Sequence, residues 1–538
     1  MEAAPRSGYE GGCQVNLHRR SAVQRFLSRH ADKIIGVLSG FDRVVFRGSL
    51  RQLSHAEGMR AFLNTRGVLL KDFGAFVEST TARIKAASLA MAVAANRPIE
   101  YLSSPAISKE DYARAILRTS PVENGLICIL KSVEPCMTFE IHRSRERKQL
   151  ELVKKHGKCL FFYHYMLDPE LGFLHARVQT WFPFAVQVCL NGREWLARQM
   201  DRQAISYERR DNCFARIDDL SNAQRLMDEQ VNVGWPNVLG RLALAINPAL
   251  PEVLAECDVP YYWSVHQSEW ATDVMFYRPS SLAAIYQALV HHGITHFQSA
   301  DVMRFLGRRV LPGFQGEITS DFKDRFEGVR IKHAVERNSI KLYDKQGSVL
   351  RVETTINDPS DFKVFRPAEG GPQEELRWRP MRKGVADLFR RTQVSQAANA
   401  RYLEAMAEVD TSEPIGELVR TVCKPTLLDG KRVRALKLWN EDDLALFAAV
   451  TRGEYVVNGF RNRDIVAQLY PRPFASTIER RRASARVTRL FRLLRAHHLI
   501  AKVQGTHRYH VTSRGRSIIA AIVAARTLTT RQLNAAAA

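Results

Sequence analysis

The chain has 538 residues, of which 45% are hydrophobic and 25% charged, a balance typical of globular proteins and a length sufficient for about three domains. No apolar run approaches the roughly 18 residues of a membrane-spanning helix, and the N-terminal MEAAPRSGYEGG lacks the apolar core of a signal peptide. These features exclude a membrane partner and predict a cytoplasmic protein. The eight cysteines are scattered without any CxxC pair, which argues against a disulfide framework or a zinc finger.

The N-terminal half is predicted to change from helices to a sheet. Residues 1–15 are small, polar and glycine-rich, so we expect a disordered tail there. Residues 16–124 have mainly helical periodicity, interrupted by a strand or hairpin over Phe41–Leu50. The helical periods cover Ala22–Leu38, His55–Thr65 and Asp72–Ala94. Over residues 125–310, β-branched and aromatic runs separated by turn residues predict a sheet-rich core with helices.

A β-meander is predicted over residues 311–366, with three antiparallel strands and turns near 336–338 and 344–347. One side of these strands alternates apolar residues, which are Ile331, Val335, Ile340, Leu342, Leu350 and Val352. The other side carries Arg330, Lys332, Lys341, Tyr343, Arg351 and Glu353. A slip of one residue would exchange the two sides, so the alternation fixes the register.

The C-terminal part is predicted to hold a linker, helices and a small final domain. Residues 367–382 are rich in Gly, Pro and Glu and indicate a linker, and residues 383–438 have the pattern of a helical connector. Residues 439–526 form the last domain and residues 527–538 a tail. The predicted fold class is therefore α+β, with a mixed multi-domain body containing antiparallel sheets, a helical linker and a C-terminal winged helix.

Positive charge is concentrated in that last domain. Residues 451–538 contain 17 Lys and Arg but only 3 Asp and Glu, so they carry +14 of the chain's formal charge of +23. Such asymmetry is expected of a surface that binds nucleic acid phosphates. The pattern predicts helices at Glu441–Val450, Arg463–Tyr470 and Glu479–His497, followed by a two-stranded hairpin and a last helix. Asn462 is the expected cap of the second of these helices.

This order, with HLIAKV as a strand, a glycine turn and HRYHVTSRGR, resembles the winged-helix domains of MarR-type bacterial regulators. The resemblance covers roughly the last 80 residues, the size of one small module. It implies double-stranded DNA as a partner, with the Arg-rich helix in the major groove and the hairpin wing on phosphate or the minor groove. The DNA-binding candidates on the helix are Arg480, Arg481, Arg482, Ser484, Arg486 and Arg489. Those on the wing are Lys502, His507 and Arg508. The alternatives are a solvated basic face and a winged helix that docks on a protein.

No linear motif of a common NTPase, dinucleotide enzyme or hydrolase occurs. The segment KLYDKQGSVLRVETTIND resembles part of the rolling-circle replication initiators of phages and plasmids, over roughly 30 residues. That resemblance implies Tyr343 as nucleophile, Glu353 as ligand of Mg²⁺ or Mn²⁺, and Lys345 beside the leaving phosphate. The chain departs from the family pattern because it has no His-x-His pair. The structural alternative is a hairpin with an exposed tyrosine and a surface ion pair between Lys341 and Glu353.

Other polar residues could assemble a site from distant strands, since metal nucleases collect carboxylates in that way. The candidates are Asp42, Glu140, Asp168, His164, His175, Glu269 and Asp273. Glu269 and Asp273 lie four positions apart, so we expect them to share a side only on a helix. Cys159, His164 and His175 match no common zinc spacing, so a core role is favoured for them. The aromatic segment around Trp181 could stack bases or fill a core.

The residues leave three functions open. The first is a DNA-processing protein of a mobile or phage-like element, active in nicking or replication initiation, with single-stranded nucleic acid as a further partner. The second is a transcriptional regulator without catalysis, and the third is an RNA-binding factor. The deciding observation is geometric: an enzyme site requires two carboxylates and a Tyr or His to converge within about 5 Å in a basic cleft.

Overall fold

The structure is a computed structural model of the chain. It describes residues 20–104, 106–146, 148–247, 249–254, 260–295, 297, 299–308, 316–323, 329–367, 376–407, 415–452, 455, 459–503 and 506–527. Helices and a large, mostly antiparallel sheet confirm the predicted α+β class. The predicted tails and most of the predicted linker lie outside the described residues.

Nineteen strands occur in the described residues. They are β1 (Ile34–Ser49), β2 (Ile99–Tyr101), β3 (Gly125–Ser144), β4 (Gln149–Asp168), β5 (Gly172–Gln179), β6 (Val186–Asn191), β7 (Tyr207–Arg210), β8 (Cys213–Ile217), β9 (Tyr262–Phe276), β10 (Ile318–Lys323), β11 (Arg330–Val335), β12 (Asn338–Lys345), β13 (Val349–Ile356), β14 (Lys363–Arg366), β15 (Arg377–Pro380), β16 (Thr426–Leu428), β17 (Lys431–Val433), β18 (Ile500–Lys502) and β19 (Tyr509–Val511). Eleven of them form one sheet in the order β10-β11-β12-β13-β9-β1-β6-β5-β4-β3-β2. Only the pairing of β2 with β3 is parallel among these neighbours.

Sixteen α-helices surround the sheet or form the C-terminal unit in the described residues. They are α1 (Arg20–Arg29), α2 (Ala56–Thr65), α3 (Phe73–Ala94), α4 (Lys109–Thr119), α5 (Gly192–Arg202), α6 (Leu220–Glu229), α7 (Trp235–Ile246), α8 (Ala249–Leu254), α9 (Pro279–Thr295), α10 (Ser299–Phe305), α11 (Leu388–Met406), α12 (Ile415–Arg420), α13 (Glu441–Val450), α14 (Asn462–Leu469), α15 (Thr477–Ala496) and α16 (Ser513–Thr527). Within the described ranges, none of these helices has the length and apolarity to cross a membrane.

Strand β1 begins earlier than the sequence predicted. Residues 34–38 were expected to continue the first helix, but α1 ends at Arg29 and Ile34 already pairs with Phe276 of β9. The prediction was wrong because the apolar run IIGVL fits a helix or a buried strand equally well, and pairing with β9 decides between them. Partner β6 covers β1 only from Arg43 to Gly48, so the first half of β1 is free to contact α6.

The predicted meander is continuous with the central sheet. Strands β10 to β13 form successive antiparallel pairs, and β13 pairs with β9 from Val349↔Met275 to Ile356↔Ser268. The predicted alternation is confirmed, since every apolar residue of that pattern is buried in one core with α9, α10 and α11. Its polar side therefore faces the same way as alternate residues of β9 and β1.

Helix α11 belongs to the body, although the sequence placed it in a connector. It packs on β9, β13 and α1. The Asn399 amide donates to the Trp270 carbonyl at 3.0 Å and to Thr272 Oγ1 at 3.1 Å, and all three residues are buried. These contacts fix α11 across the apolar side of β9 and β13. The candidate site described below lies on the other, polar side of these strands.

The C-terminal unit has the predicted winged-helix order of α13, α14, α15, β18, β19 and α16 around its own core. Val487, Phe491 and Leu494 of α15 are buried in that core, as their spacing predicted. The predicted cap is wrong: α14 begins at Asn462, and the Asp464 carboxylate accepts from the backbone N–H of Arg461 instead. Arg516 of α16 forms an ion pair of 3.1 Å with the buried Asp301 of α10, which attaches this unit to the body.

Candidate metal centre and nucleic-acid surface

The candidate centre starts from an irregularity in β1. Phe41 pairs with Trp270 and Arg43 pairs with Glu269, so Asp42 is an extra residue between two regular pairs. A β-bulge of this kind redirects a side chain, and such bulges are common beside active sites. Asp42 is buried among strand residues, which gives its carboxylate a fixed position in the sheet.

Strands β9 and β13 supply the other carboxylates. Glu269 and Asp273 lie on the same side of β9, because side chains two and four positions apart share one side of a strand. The expectation that these two residues share a side only on a helix was therefore wrong. Glu353 lies on β13, where the Thr355↔Glu269 and Arg351↔Asp273 pairs place it on that same side.

Three of these carboxylates converge. One oxygen each from Asp42, Glu269 and Glu353 lies within 4.8 Å of the others. Glu353 is 2% exposed, whereas the side chain of Glu269 retains 14% exposure. We call Asp42, Glu269 and Glu353 the acidic triad. Its residues come from three neighbouring strands, so its geometry is set by the sheet.

Two buried arginines donate hydrogen bonds to the carboxylates on one side of the cluster, Asp42 and Asp273. Arg351 donates to Asp273 at 2.6 and 2.8 Å and to Asp42 at 2.7 Å. Arg193 donates to Asp273 at 2.9 Å from the first turn of α5. Gly192 makes this approach possible, because a Cβ there would lie 2.0 Å from the carbonyl oxygen of Phe41. These arginines were not selected from the sequence; an Asp within the apolar FDRVVF run was the signal available for a buried charge network.

Lys341 and Tyr343 of β12 hold the opposite side. Lys341 Nζ lies 2.6 Å from Glu353 Oε1, and Tyr343 Oη donates to Glu353 Oε2 at 2.7 Å. The pair expected on the surface thus consists of a half-buried lysine and a buried carboxylate. Lys345, the predicted partner of the leaving phosphate, lies further along β12 and instead forms an ion pair of 2.7 Å with Asp211. The structure brings Tyr343 and Glu353 together, as predicted. The lysine beside them is Lys341, whereas the sequence predicted Lys345 for that position.

The charges in the cluster are unevenly compensated. Asp273 has two guanidiniums, which outweigh burial and hold the pKa of its carboxyl below the ordinary value. Burial and then the Glu353 charge raise the pKa of Glu269 to about 7. Burial also raises the pKa of Asp42, against the opposing effect of Arg351. At Asp42 and Glu269 burial thus outweighs the nearby cations, whereas at Asp273 the cations outweigh burial.

Tyr343, Glu353 and Lys341 differ in their protonation. Burial would raise the pKa of Glu353, but Lys341 and the Tyr343 hydroxyl outweigh it and lower the pKa below the ordinary value. Burial alone would lower the pKa of Lys341, and the Glu353 charge reverses this and raises it. Burial and the same carboxylate raise the pKa of Tyr343 well above its ordinary value. At neutral pH the site therefore holds a neutral phenol, a carboxylate and an ammonium group.

The donor set fits a hard divalent cation. Three carboxylates offer only oxygen, which Mg²⁺ and Mn²⁺ prefer over the nitrogen and sulfur ligands typical of zinc. Among the described residues, the one cation within ion-pair distance of Glu269 is Lys341, whose Nζ lies at 4.0 Å, and Arg43 acts on it from further away. A divalent ion between the three carboxylates would add positive charge and keep Glu269 ionised.

The remaining sequence candidates are dispersed. Glu140 forms an exposed ion pair with Lys155, and Asp168 accepts backbone N–H bonds in a turn. His164 is buried beside Ser88 at 3.1 Å, and Cys159 is buried with Cys136, consistent with the favoured core role. The aromatic segment is also mostly core, since Phe182 and Phe184 are fully buried and Trp195 is 8% exposed. These rings cannot serve as a base-stacking platform.

Helix α15 presents a row of arginines to solvent. Exposed side chains are Arg480, Arg481, Arg482, Arg486, Arg489 and Arg492. Arg486 lies 3.4 Å from Asp442, whereas the other five make no ion pair with any described residue. On the wing, Lys502 and His507 are exposed and Arg508 is half-buried. The predicted turn at 504–505 lies outside the described residues.

Ser484 differs from the other candidates of the predicted DNA surface. Its side chain is half-buried, and its hydroxyl donates to Asn462 Oδ1 at 2.8 Å. The Asn462 amide in turn donates to the Ser484 carbonyl and to Thr488. Ser484 therefore holds α14 against α15, and the predicted base-edge role does not fit its position.

No protein-family model, curated protein or solved structure matches this chain.

Proposed function

We propose that this protein binds duplex DNA through the exposed arginines of α15 and cleaves a DNA strand at the acidic triad with Mg²⁺ or Mn²⁺. The observation that carries the proposal is the convergence of Asp42, Glu269 and Glu353 within 4.8 Å beside the Tyr343 hydroxyl. It meets the distance part of the geometric requirement set out from the sequence.

The chemistry assigns a separate task to each group. The triad would hold the cation, which when bound offsets the negative charge of a phosphate. Tyr343 Oη attacks phosphorus, and its proton passes to Glu353, with which it already shares a hydrogen bond. The bond from phosphorus to the deoxyribose oxygen breaks, and the Lys341 ammonium protonates that oxygen. The strand is then joined to Tyr343 through a phosphodiester.

The proposal separates binding from chemistry. Arginine at five unpaired positions of α15 supplies bidentate donors for phosphate and guanine. The body supplies the reacting groups, and Arg516 with Asp301 keeps the two units attached. A DNA segment held by α15 is thereby kept near the body.

The test is nicking of supercoiled plasmid and of single-stranded DNA with Mg²⁺ or Mn²⁺, followed by a denaturing gel for a protein–DNA adduct. Asp42→Asn and Glu353→Gln should abolish nicking, and Tyr343→Phe should abolish the adduct. Glu140→Gln, an exposed carboxylate on the same sheet, is the matched control and should behave as wild type. Nicking that persists in chelator, or an adduct that persists in Tyr343→Phe, would contradict the proposal.

A second candidate is a regulator without catalysis. It is favoured by the hydrogen bonds that each triad carboxylate already accepts, from Arg351 and Asn212 at Asp42, from Gln267 at Glu269, and from Lys341 and Tyr343 at Glu353. Such a network can serve specificity of folding alone. A discrete footprint on DNA that is identical in chelator and in Mn²⁺, without nicking, would select this function.

A further inference from the structure

A groove lies on the polar side of the sheet, beyond the acidic triad. Its volume is about 230 Å³, and it is lined by residues of β1, β3, β4, β5 and β6 together with Ala185. The volume is below the roughly 300–1,000 Å³ of drug-sized ligand pockets, so it can take one nucleotide unit but not a helix. No carboxylate is among the lining residues.

The groove and the triad share one side of β1. Arg43 pairs with Glu269 of the triad, and Arg47 lines the groove. Residues 43, 45 and 47 point the same way along a strand, and four residues span about 13 Å. An extended strand a few nucleotides long would therefore reach both places on the same surface.

Of the two arginines in the groove, Arg177 pairs with Glu134 at 2.6 Å, and Arg47 is the one without a counter-charge among the described residues. No carboxylate among the described residues lies within ion-pair distance of Arg47. Burial and then the Arg177 charge lower the pKa of Arg47, as expected of two guanidiniums that line the same groove. A phosphate between them would remove this repulsion.

Arg177 also provides a flat surface. Its guanidinium lies 3.8 Å from the centroid of the Phe161 ring, and it is fixed by Glu134 at 2.6 Å and Gln187 at 2.9 Å. A guanidinium plane held in this way is a surface on which unpaired bases stack. Pro135, Met137 and Ala185 give the groove an apolar rim that suits a base.

We infer that this groove binds one nucleotide of a single DNA strand, with its phosphate between Arg47 and Arg177 and its base against the Arg177 plane. The inference rests on the proposed function, because it supplies the subsite that holds the strand cleaved at the triad. Unstacked bases are required, since a duplex neither fits the groove nor offers a free base face.

The test is fluorescence anisotropy with a labelled short oligothymidylate, on the full chain carrying Arg482→Ala and Arg489→Ala to weaken the α15 surface. Adding Arg47→Ala should weaken binding about tenfold and lower the slope of log affinity against log salt by about 0.7, the value for one phosphate on a single strand. Adding Ala185→Leu, which fills the groove without changing charge, should weaken binding at least tenfold and leave the slope unchanged.

The matched control is Arg143→Ala, an exposed arginine near the far end of β3 that does not line the groove, which should bind the oligothymidylate as its parent does. Duplex affinity, measured on the chain with native α15, should not change with any groove variant. Unchanged oligothymidylate binding in Arg47→Ala and Ala185→Leu would overturn the inference, as would a parallel loss for duplex.

Competitors separate the sources of the ligand. Equal competition by thymidine monophosphate per nucleotide would assign the groove to a free mononucleotide, and equal competition by inorganic phosphate would assign it to a simple anion. Either result overturns the strand subsite. The proposed cleavage fails separately, if plasmid nicking does not depend on metal and on Asp42 while the groove variants behave as expected.

Discussion

The sheet centre and helix α15 both concentrate arginine, but in opposite surroundings. At the sheet centre Arg193 and Arg351 are at most 1% exposed, and both donate to Asp273. On α15, five arginines point to solvent without an ion pair in the described part of the chain. The comparison teaches that arginine content alone does not indicate a nucleic-acid surface. The position of the nearest carboxylate decides whether a guanidinium fixes the fold or is free for a phosphate.

The largest expected effect is a loss of stability when the carboxylate shared by the two buried arginines is removed. Asp273→Asn leaves Arg193 and Arg351 buried without their shared carboxylate and should destabilise the body by about 3–5 kcal/mol. Arg482→Ala on α15 should change stability by less than about 0.5 kcal/mol. Urea unfolding followed by tryptophan fluorescence, with Trp263 and Trp270 in the body core, measures both. Equal effects of the two variants would show that the distinction between the regions is wrong.

The next effect is a pH dependence of stability from the acidic triad. The pKa of Glu269 is raised to about 7 from 4.5, so its contribution is present below pH 4.5 and is lost as the pH rises through 7. The body should lose up to about 3 kcal/mol between pH 5 and 8 in chelator.

Glu269→Gln is the matched variant for this pH dependence. It cannot ionise and should flatten the melting temperature across that pH range, whereas Mn²⁺ should restore the stability of the native chain at pH 8. A native chain with the same melting temperature at pH 5 and 8, with and without Mn²⁺, would contradict the raised pKa of Glu269.

On the exposed side of the comparison, Arg482→Ala with Arg489→Ala should weaken duplex binding roughly ten- to a hundredfold. Removing two phosphate contacts should lower the slope of log affinity against log salt by about 1.8. A filter-binding titration at several salt concentrations measures both quantities. Arg420→Ala, an exposed arginine of α12 outside the predicted DNA surface, is the control. A loss of affinity with an unchanged salt slope would mean that these arginines do not contact phosphate.

The smallest expected effect tests whether Ser484 belongs to the predicted DNA surface. Ser484→Ala removes the hydroxyl that donates to Asn462 and should destabilise the C-terminal unit by about 1 kcal/mol. The relative affinities for different duplex sequences should stay the same, because the hydroxyl faces α14. Binding to a set of duplexes that differ by single base pairs, compared with thermal unfolding, distinguishes a base-contacting role of Ser484 from a structural one. Altered base preference without lost stability would restore Ser484 to the base-contacting residues.

The sequence predicted correctly those features of the fold that depend on a local pattern of residues. Alternation in the meander placed Lys341, Tyr343 and Glu353 on one side correctly, and spacing placed Val487, Phe491 and Leu494 in the C-terminal core. The triad was beyond such reasoning, because it depends on β9 lying between β1 and β13 and on the bulge that turns Asp42. Strand order and bulges are set by pairing over long separations, which no window of the sequence contains.

The order in which the triad residues occur along the chain matters during synthesis. A total of 311 positions separate Asp42 from Glu353. At a translation rate of about 5–20 residues per second, the synthesis of that stretch lasts roughly 15 to 60 s. During the earlier part of it, before β9 is made, the first half of β1 has no strand partner, and an unpaired apolar strand is prone to aggregation unless chaperones protect it. The acidic triad is complete only after the whole central sheet has emerged, so an incomplete translation product carries no assembled triad.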